Sequence, residues 1–309
     1  MKKKGVIRSH GRSLVELMIA MAIGLVIMAA ISALYLSNSK SYRVTDDKAH
    51  LEEDGRLALN LIAFHLRMAG YGELISGNPW KDQEANGTTF EQAAAAAGGI
   101  LEGVEGCTGG FTNPSNVAVA CKNTAGADGI VIRYYVDSFN ANQTAANVPA
   151  DCLGQGVITT PAIVESRFFI ALNPSTGFSE LYCVGNGGTA VGAPTFANPP
   201  QPIAENVIDM RITYGYDSDG DQSVDGFYTA QKIGDNTLPV VNDGHHTRWG
   251  QVASANVCLV VRSANDNLTS DFQRYRDCMG NLVTATDRRL YSTFSTVVAL
   301  RSRVSGGAL

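Results

Sequence analysis

The stretch GRSLVELMIAMAIGLVIMAAISALYL, Gly11 to Leu36, decides the fold. From Leu14 to Leu36 it runs 23 residues with a single charge, Glu16. At ~1.5 Å per residue that is about 35 Å of helix, enough to cross the hydrocarbon of a bilayer. A carboxylate inside such a run is costly unless something pairs with it, so Glu16 requires an explanation.

The flanks orient the segment. Lys2, Lys3, Lys4 and Arg8 place four positive charges on the first eleven residues with no acid, and against an overall charge of −5 the remainder carries −9. A basic flank, an apolar run and then VTDDKAHLEED predict a cytoplasmic N-terminus with the bulk of the chain across the membrane. The run is too long for a secretory signal, and no A-x-A cleavage site ends it. The acidic remainder argues against nucleic acid as a partner.

Helix formers continue beyond Leu36, and no Pro occurs from residue 12 to residue 70. One helix of some 57 residues, about 85 Å long, is expected. Its first half is apolar on every side. Its second half carries a stripe, Leu57, Leu61, Phe64 and Met68, with Leu51, Ala58, Ile62, His65 and Ala69 in the adjoining strip, and needs a sheet to cover it. Gly70 and Gly72 are its expected end. Gly24 and Gly55 are points where it is expected to bend or melt. His65 reads as a satisfied core residue.

The joined pattern of a basic leader, Gly11, the string Ser13-Leu14-Val15-Glu16-Leu17 and a membrane-length apolar run resembles the type IV pilin family. The resemblance implies that a prepilin peptidase cuts between Gly11 and Arg12, that Arg12 becomes the N-methylated first residue, and that Glu16 is the family's fifth-position glutamate. Arg12 departs from the usual Phe or Met. Cleavage would free an ammonium four residues before Glu16, on the same helical face and within reach of it or of a neighbouring subunit's carboxylate. That is the family's answer to the buried acid: Glu16 docks subunits in assembly. Three further strings resemble PilW-type minor pilins: GRLALNLIAFHLRMAGYGE (55–73), RITYGYDSDGDQSVD (211–225) and DRRLYSTFSTVVALRSRV (287–304).

From Leu74 onward, short runs rich in β-branched and aromatic residues alternate with Gly, Asn, Pro and Asp. GIVIRYYV, SRFFIAL, ELYCV, IDMRITYGY, NVCLVVRS and FSTVVALRS read as strands. In DMRITYGY, Met210, Ile212, Tyr214 and Tyr216 alternate with polar or small residues, as a half-buried strand does, whereas NVCLVV reads as central. EQAAAAAGG (91–99) reads as a short helix or surface loop; NGTT, NPSTG, VGNGGTAVGAPTFANPPQP and GDNTLPVVNDG read as loops. The expected fold is therefore α+β and pilin-like, a long N-terminal helix packed on an antiparallel β-rich domain. Its parts are a leader (1–11), a membrane or filament-core helix (12–36), an amphipathic helix (37–72) and an exported domain (73–309).

Cys107, Cys121, Cys152, Cys183, Cys258 and Cys278 all follow the membrane run, where an even count favours disulfides. Six cysteines allow 15 pairings; sequence neighbours (107–121, 152–183, 258–278) are the first choice. DSDGDQSVD places Asp217, Asp219, Asp221, Ser223 and Asp225 at positions 1, 3, 5, 7 and 9 of a loop, the oxygen spacing that suits a structural Ca²⁺. Gln222 stands where an EF-hand has Gly, and Tyr228 where it has Glu. A solvated Asp-rich turn is the alternative. His245 and His246 are adjacent and point apart on a strand. Neither a phosphate loop nor a nucleophile elbow occurs, so no enzyme and no required cofactor is expected.

The resemblance implies a minor pilin that helps initiate or cap type IV pili. It would lie first in the inner membrane and then in the pilus, at the tip. Its partners would be prepilin peptidase, the major and other minor pilins, the assembly platform and a tip adhesin. A J-type pseudopilin of type II secretion is one alternative; a calcium-dependent adhesive module on a pilin anchor is another.

Overall fold

The computed structural model describes residues 13–71, 100–111, 121, 126–135, 143–158, 163–188, 198–241 and 248–300. Gly11, Arg12, the alanine tract and His245–His246 lie outside them. The chain divides into two units, Met1–Lys48 and Ala49–Leu309. One helix, α1 (Leu14–Met68), is common to both, uninterrupted at Gly24 and Gly55. It stops where expected: Gly70 takes a left-handed φ of +71°, and its amide donates to the carbonyl of Arg133 (3.0 Å) instead of continuing the helix.

Two antiparallel sheets build the second unit. The first, in order β1-β2-β3-β4-β5, comprises Leu101–Val104, Gly129–Tyr135, Ile163–Leu172, Ser179–Gly185 and Gln201–Ala204. The second, in order β11-β8-β6-β7, comprises Tyr291–Ala299, Val252–Arg262, Val207–Tyr216 and Gly226–Tyr228. A hairpin of β9 (Arg274–Arg276) and β10 (Leu282–Thr284) stands apart, and a short helix α2 (Ala230–Gly234) follows β7. The expected strands are all present, and β8 is central, as its near-continuous apolar run requires. The end of one segment read as loop is not loop: Gln201 and Pro202 open the edge strand Gln201–Ala204, and Pro202 fits there because an edge residue needs no donor on its open side.

A single buried cluster joins α1 to both sheets. Ile62, Leu66 and Ala69 of the helix meet Ile132 and Tyr134 of β2, Phe168 of β3, Met210 and Ile212 of β6, and Leu259 of β8. Within the expected apolar face, burial is centred on the adjoining strip rather than on the Leu57–Met68 stripe. Leu51, Ala58, Ile62, His65 and Ala69 are buried, whereas Leu57 is 55% exposed and Leu61, Phe64 and Met68 are half-buried. The small residues explain the offset. Gly55 lies under the ring of Phe294 on β11, so close that a Cβ there would stand 2.4 Å from the ring. Gly55 is thus a packing notch that admits Phe294, not a weak point of the helix.

All six cysteines are paired, Cys107–Cys121, Cys152–Cys183 and Cys258–Cys278. The first lies on the face of the first sheet turned away from the helix, among Phe111, Val131, Phe169 and Val184. The second ties the turn after Asp151 to β4, and the third ties β8 to the turn between β9 and β10.

Candidate assembly site

Glu16 stands in the first turn of α1, where the positive end of the helix dipole favours a carboxylate. The Leu17 amide donates to the Ser13 carbonyl (3.2 Å), so the turn is closed around it. From Leu14 to Leu36 every large apolar side chain is at least half exposed, with Leu14 at 75% and Leu25 at 72%. A helix apolar all round is completed by lipid or by other helices. This one is long and apolar enough to cross a membrane.

The acidic loop joins β6 to β7. Asp217, Asp219 and Asp225 bring one carboxylate oxygen each within 4.8 Å of one another. Asp221 does not join them; its Oδ1 accepts the Ser223 amide (2.7 Å). Asp217 is buried and organises the loop, its Oδ1 accepting from Gly220 (2.7 Å) and its Oδ2 from Gln222 (2.9 Å). The Asp225 carboxyl accepts both the amide and the hydroxyl of Ser218, which hold it below the usual carboxylate range. Gly220 and Gln222 both adopt positive φ, +83° and +69°. The root of the loop is fixed by Gln251, which accepts the Asp217 amide on its backbone carbonyl and donates from Nε2 to the Asp217 carbonyl, each at 3.0 Å. Gln251 and Ser218 carried no signal in the sequence, since their roles depend on chain segments brought together only by folding.

Two more polar groupings escaped the sequence. Asp128 accepts the Ile212 amide (2.9 Å) and pairs with Arg211 (3.2 Å), stapling the first sheet to the second. On the first sheet, Glu165 lies between Arg133 (2.9 Å) and Arg167 (2.7 Å), with Glu102 4.0 Å from Arg133. Both arginines are buried. Strict alternation accounts for this: Ile130, Ile132 and Tyr134 of β2 face the helix, so Arg133 faces away, opposite Glu165 in register. Burial pushes the Glu102 carboxyl up to about 7 against the pull of Arg133 and Arg167. His65 is buried too, with Nδ1 2.9 Å from the Tyr134 hydroxyl and Nε2 without a partner among the described residues, and burial lowers its pKa to about 4. It is a core histidine, but only half satisfied.

Comparison with known families addresses both ends of the chain. Residues 8–32 match the prokaryotic N-terminal methylation motif, and residues 167–302, from β3 through β11, match type IV pilus-assembly protein W, PilW. The chain is thus similar to PilW from β3 through β11 and carries the methylation motif at its N-terminus. The methylation motif ties the chain to prepilin-peptidase processing and to pilus assembly, and the apolar helix that follows it suits membrane anchoring. No curated protein sequence matches it. Among solved structures it is similar to a type IV-like pilin from Thermus thermophilus, at 10% identity and a TM-score of 0.32, over 58% of this chain and 80% of that one.

Proposed function

We propose that this chain is a minor pilin that takes part in initiating or capping type IV pili. Prepilin peptidase trims it after Gly11, Arg12 is methylated, and the helix then leaves lipid for a bundle of other pilin helices. The work is packing rather than catalysis. The observation that carries the reading is the all-round apolar first half of α1, Leu14 to Leu36, whose one carboxylate, Glu16, stands in the first turn. In a low-dielectric bundle that acid gains most from an ammonium, its own or a neighbour's. Glu16→Val is expected to stay in the inner membrane at normal levels but to fall several-fold in shear-released filaments. Normal incorporation of the variant overturns the reading. Deleting the gene separates pili from secretion: loss of twitching and surface pili supports the proposal, and loss of exported enzymes with pili intact supports a J-type pseudopilin.

A structural calcium in the β6–β7 loop is the second part of the proposal, favoured by the convergence of Asp217, Asp219 and Asp225. Three carboxylates so close repel one another, and a hard cation would relieve that cost. Calorimetric titration of the detergent-solubilised full chain is expected to show binding that Asp217→Asn abolishes. No heat at millimolar Ca²⁺ removes the claim.

A further inference from the structure

The second sheet ends in an open edge unlike the other sheet edges among the described residues. Strand β11 pairs with β8 along all nine of its residues without a register shift. The direction of its backbone groups follows from its ends. The Leu300 amide donates inward to Ala253. Tyr291, by contrast, turns outward: its amide donates to Gln273 Oε1 (2.7 Å) and its carbonyl accepts from Gln273 Nε2 (2.9 Å). The Gln273 side chain thus stands in for a neighbouring strand at that one position. By the two-residue repeat of a strand, Ser295, Val297 and Ala299 also direct amide and carbonyl outward. Among the described residues nothing pairs with them. Their side chains are exposed, Val297 by 61%.

Edges of this kind are normally protected by shortness, charge, proline or a bulge. The remaining edges of the two sheets have such protection: β1 and β5 are four residues long, β5 includes Pro202, and β7 is three. The nine residues YSTFSTVVA of β11 carry no charge, no proline and no bulge.

We infer that the Ser295–Ala299 edge of β11 receives a strand from a neighbouring subunit of the pilus complex, extending the second sheet by main-chain hydrogen bonds. The inference rests on the proposed assembly role. The bare backbone groups call for an extended segment, and the small uncharged side chains beside them call for an uncharged one. Pairing of β11 with β11 of a second copy is unsuitable, because an antiparallel self-pairing needs a two-fold axis that closes the assembly, whereas a filament repeats by head-to-tail displacement. The occupant is therefore a strand other than β11.

The test places the photo-crosslinking residue p-benzoylphenylalanine at Ser295 of the full chain in piliated cells. Irradiation is expected to give crosslinks to one short stretch of another pilin. Val297→Pro removes an outward amide and blocks the edge while leaving the ladder to β8 intact; it should lower that crosslink at least about tenfold, as loss of a hydrogen bond with added steric block implies, while Val297→Ala should not. Retention of the Cys258–Cys278 bond on non-reducing gels shows that the proline variant is folded; if it is not, Val297→Lys takes its place. Crosslinks only to a second copy's β11, only to the chain's own residues 301–309, none at all, or a yield unmoved by the blocking variant each overturn the inference. Filament incorporation of Glu16→Val is scored separately, so failure of the assembly reading and failure of the edge are distinguishable.

Discussion

Gln222 shows how a single position can be folded against its own preference. Its φ of +69° lies in the left-handed region, which costs an L residue roughly 1–2 kcal/mol. In that conformation the Gln222 amide donates to Asp217 Oδ2 (2.9 Å). Gln222→Gly removes the strain but adds freedom to the unfolded chain, about 0.5–1 kcal/mol. The expected net gain is about 0.5–1 kcal/mol, read as a higher urea midpoint of the detergent-solubilised chain by near-ultraviolet circular dichroism. An unchanged or lower midpoint would show that the side chain does more than the backbone turn requires. The departure from Gly was visible in the sequence; that the backbone nonetheless keeps a left-handed turn there was not.

Among the elements, α1 combines two demands, and its two glycines separate them. At Gly24 a Cβ would meet nothing within 4 Å, while at Gly55 it would meet the Phe294 ring at 2.4 Å. Alanine improves helix propensity by about 1 kcal/mol at either position. At Gly55 that gain is outweighed by overpacking of about 1–3 kcal/mol. Gly55→Ala should therefore lower the thermal midpoint by a few degrees, roughly 2–4 °C per kcal/mol for a domain of this size, and Gly24→Ala should not lower it. Periodicity showed that the helix has one buried face; which of two adjoining strips it would be depended on the small residues fitting the sheet. Leu57 is the plainest case, an apolar residue in the expected stripe that remains exposed because Gly55, Ala58 and Ile62 allow closer approach.

For the whole molecule, the buried groups set how stability depends on pH, and two of them oppose each other. His65 has its pKa lowered from 6.5 to about 4, so the stability it permits is present above 6.5 and is lost as the pH falls through 4, about 3 kcal/mol in all. Glu102 is raised from 4.5 to about 7, so its contribution is present below 4.5 and is lost as the pH rises through 7. Between roughly pH 4.5 and 6.5 the two slopes offset each other. Denaturation measured across that range should show His65→Gln losing stability with rising pH relative to the unsubstituted chain, and Glu102→Gln losing it with falling pH. Parallel profiles for all three proteins would refute the assignment. By itself the sequence determined the membrane-length helix, the site of Glu16, the six longest strands and the three-part spacing of cysteines, because each is written in local composition and period. Only the tertiary structure decided the face of α1 that is buried, the Arg–Glu cluster behind the first sheet, the half-satisfied His65 and the bare edge of β11. Each of these depends on what distant segments leave uncovered or bring together, and no local pattern encodes that.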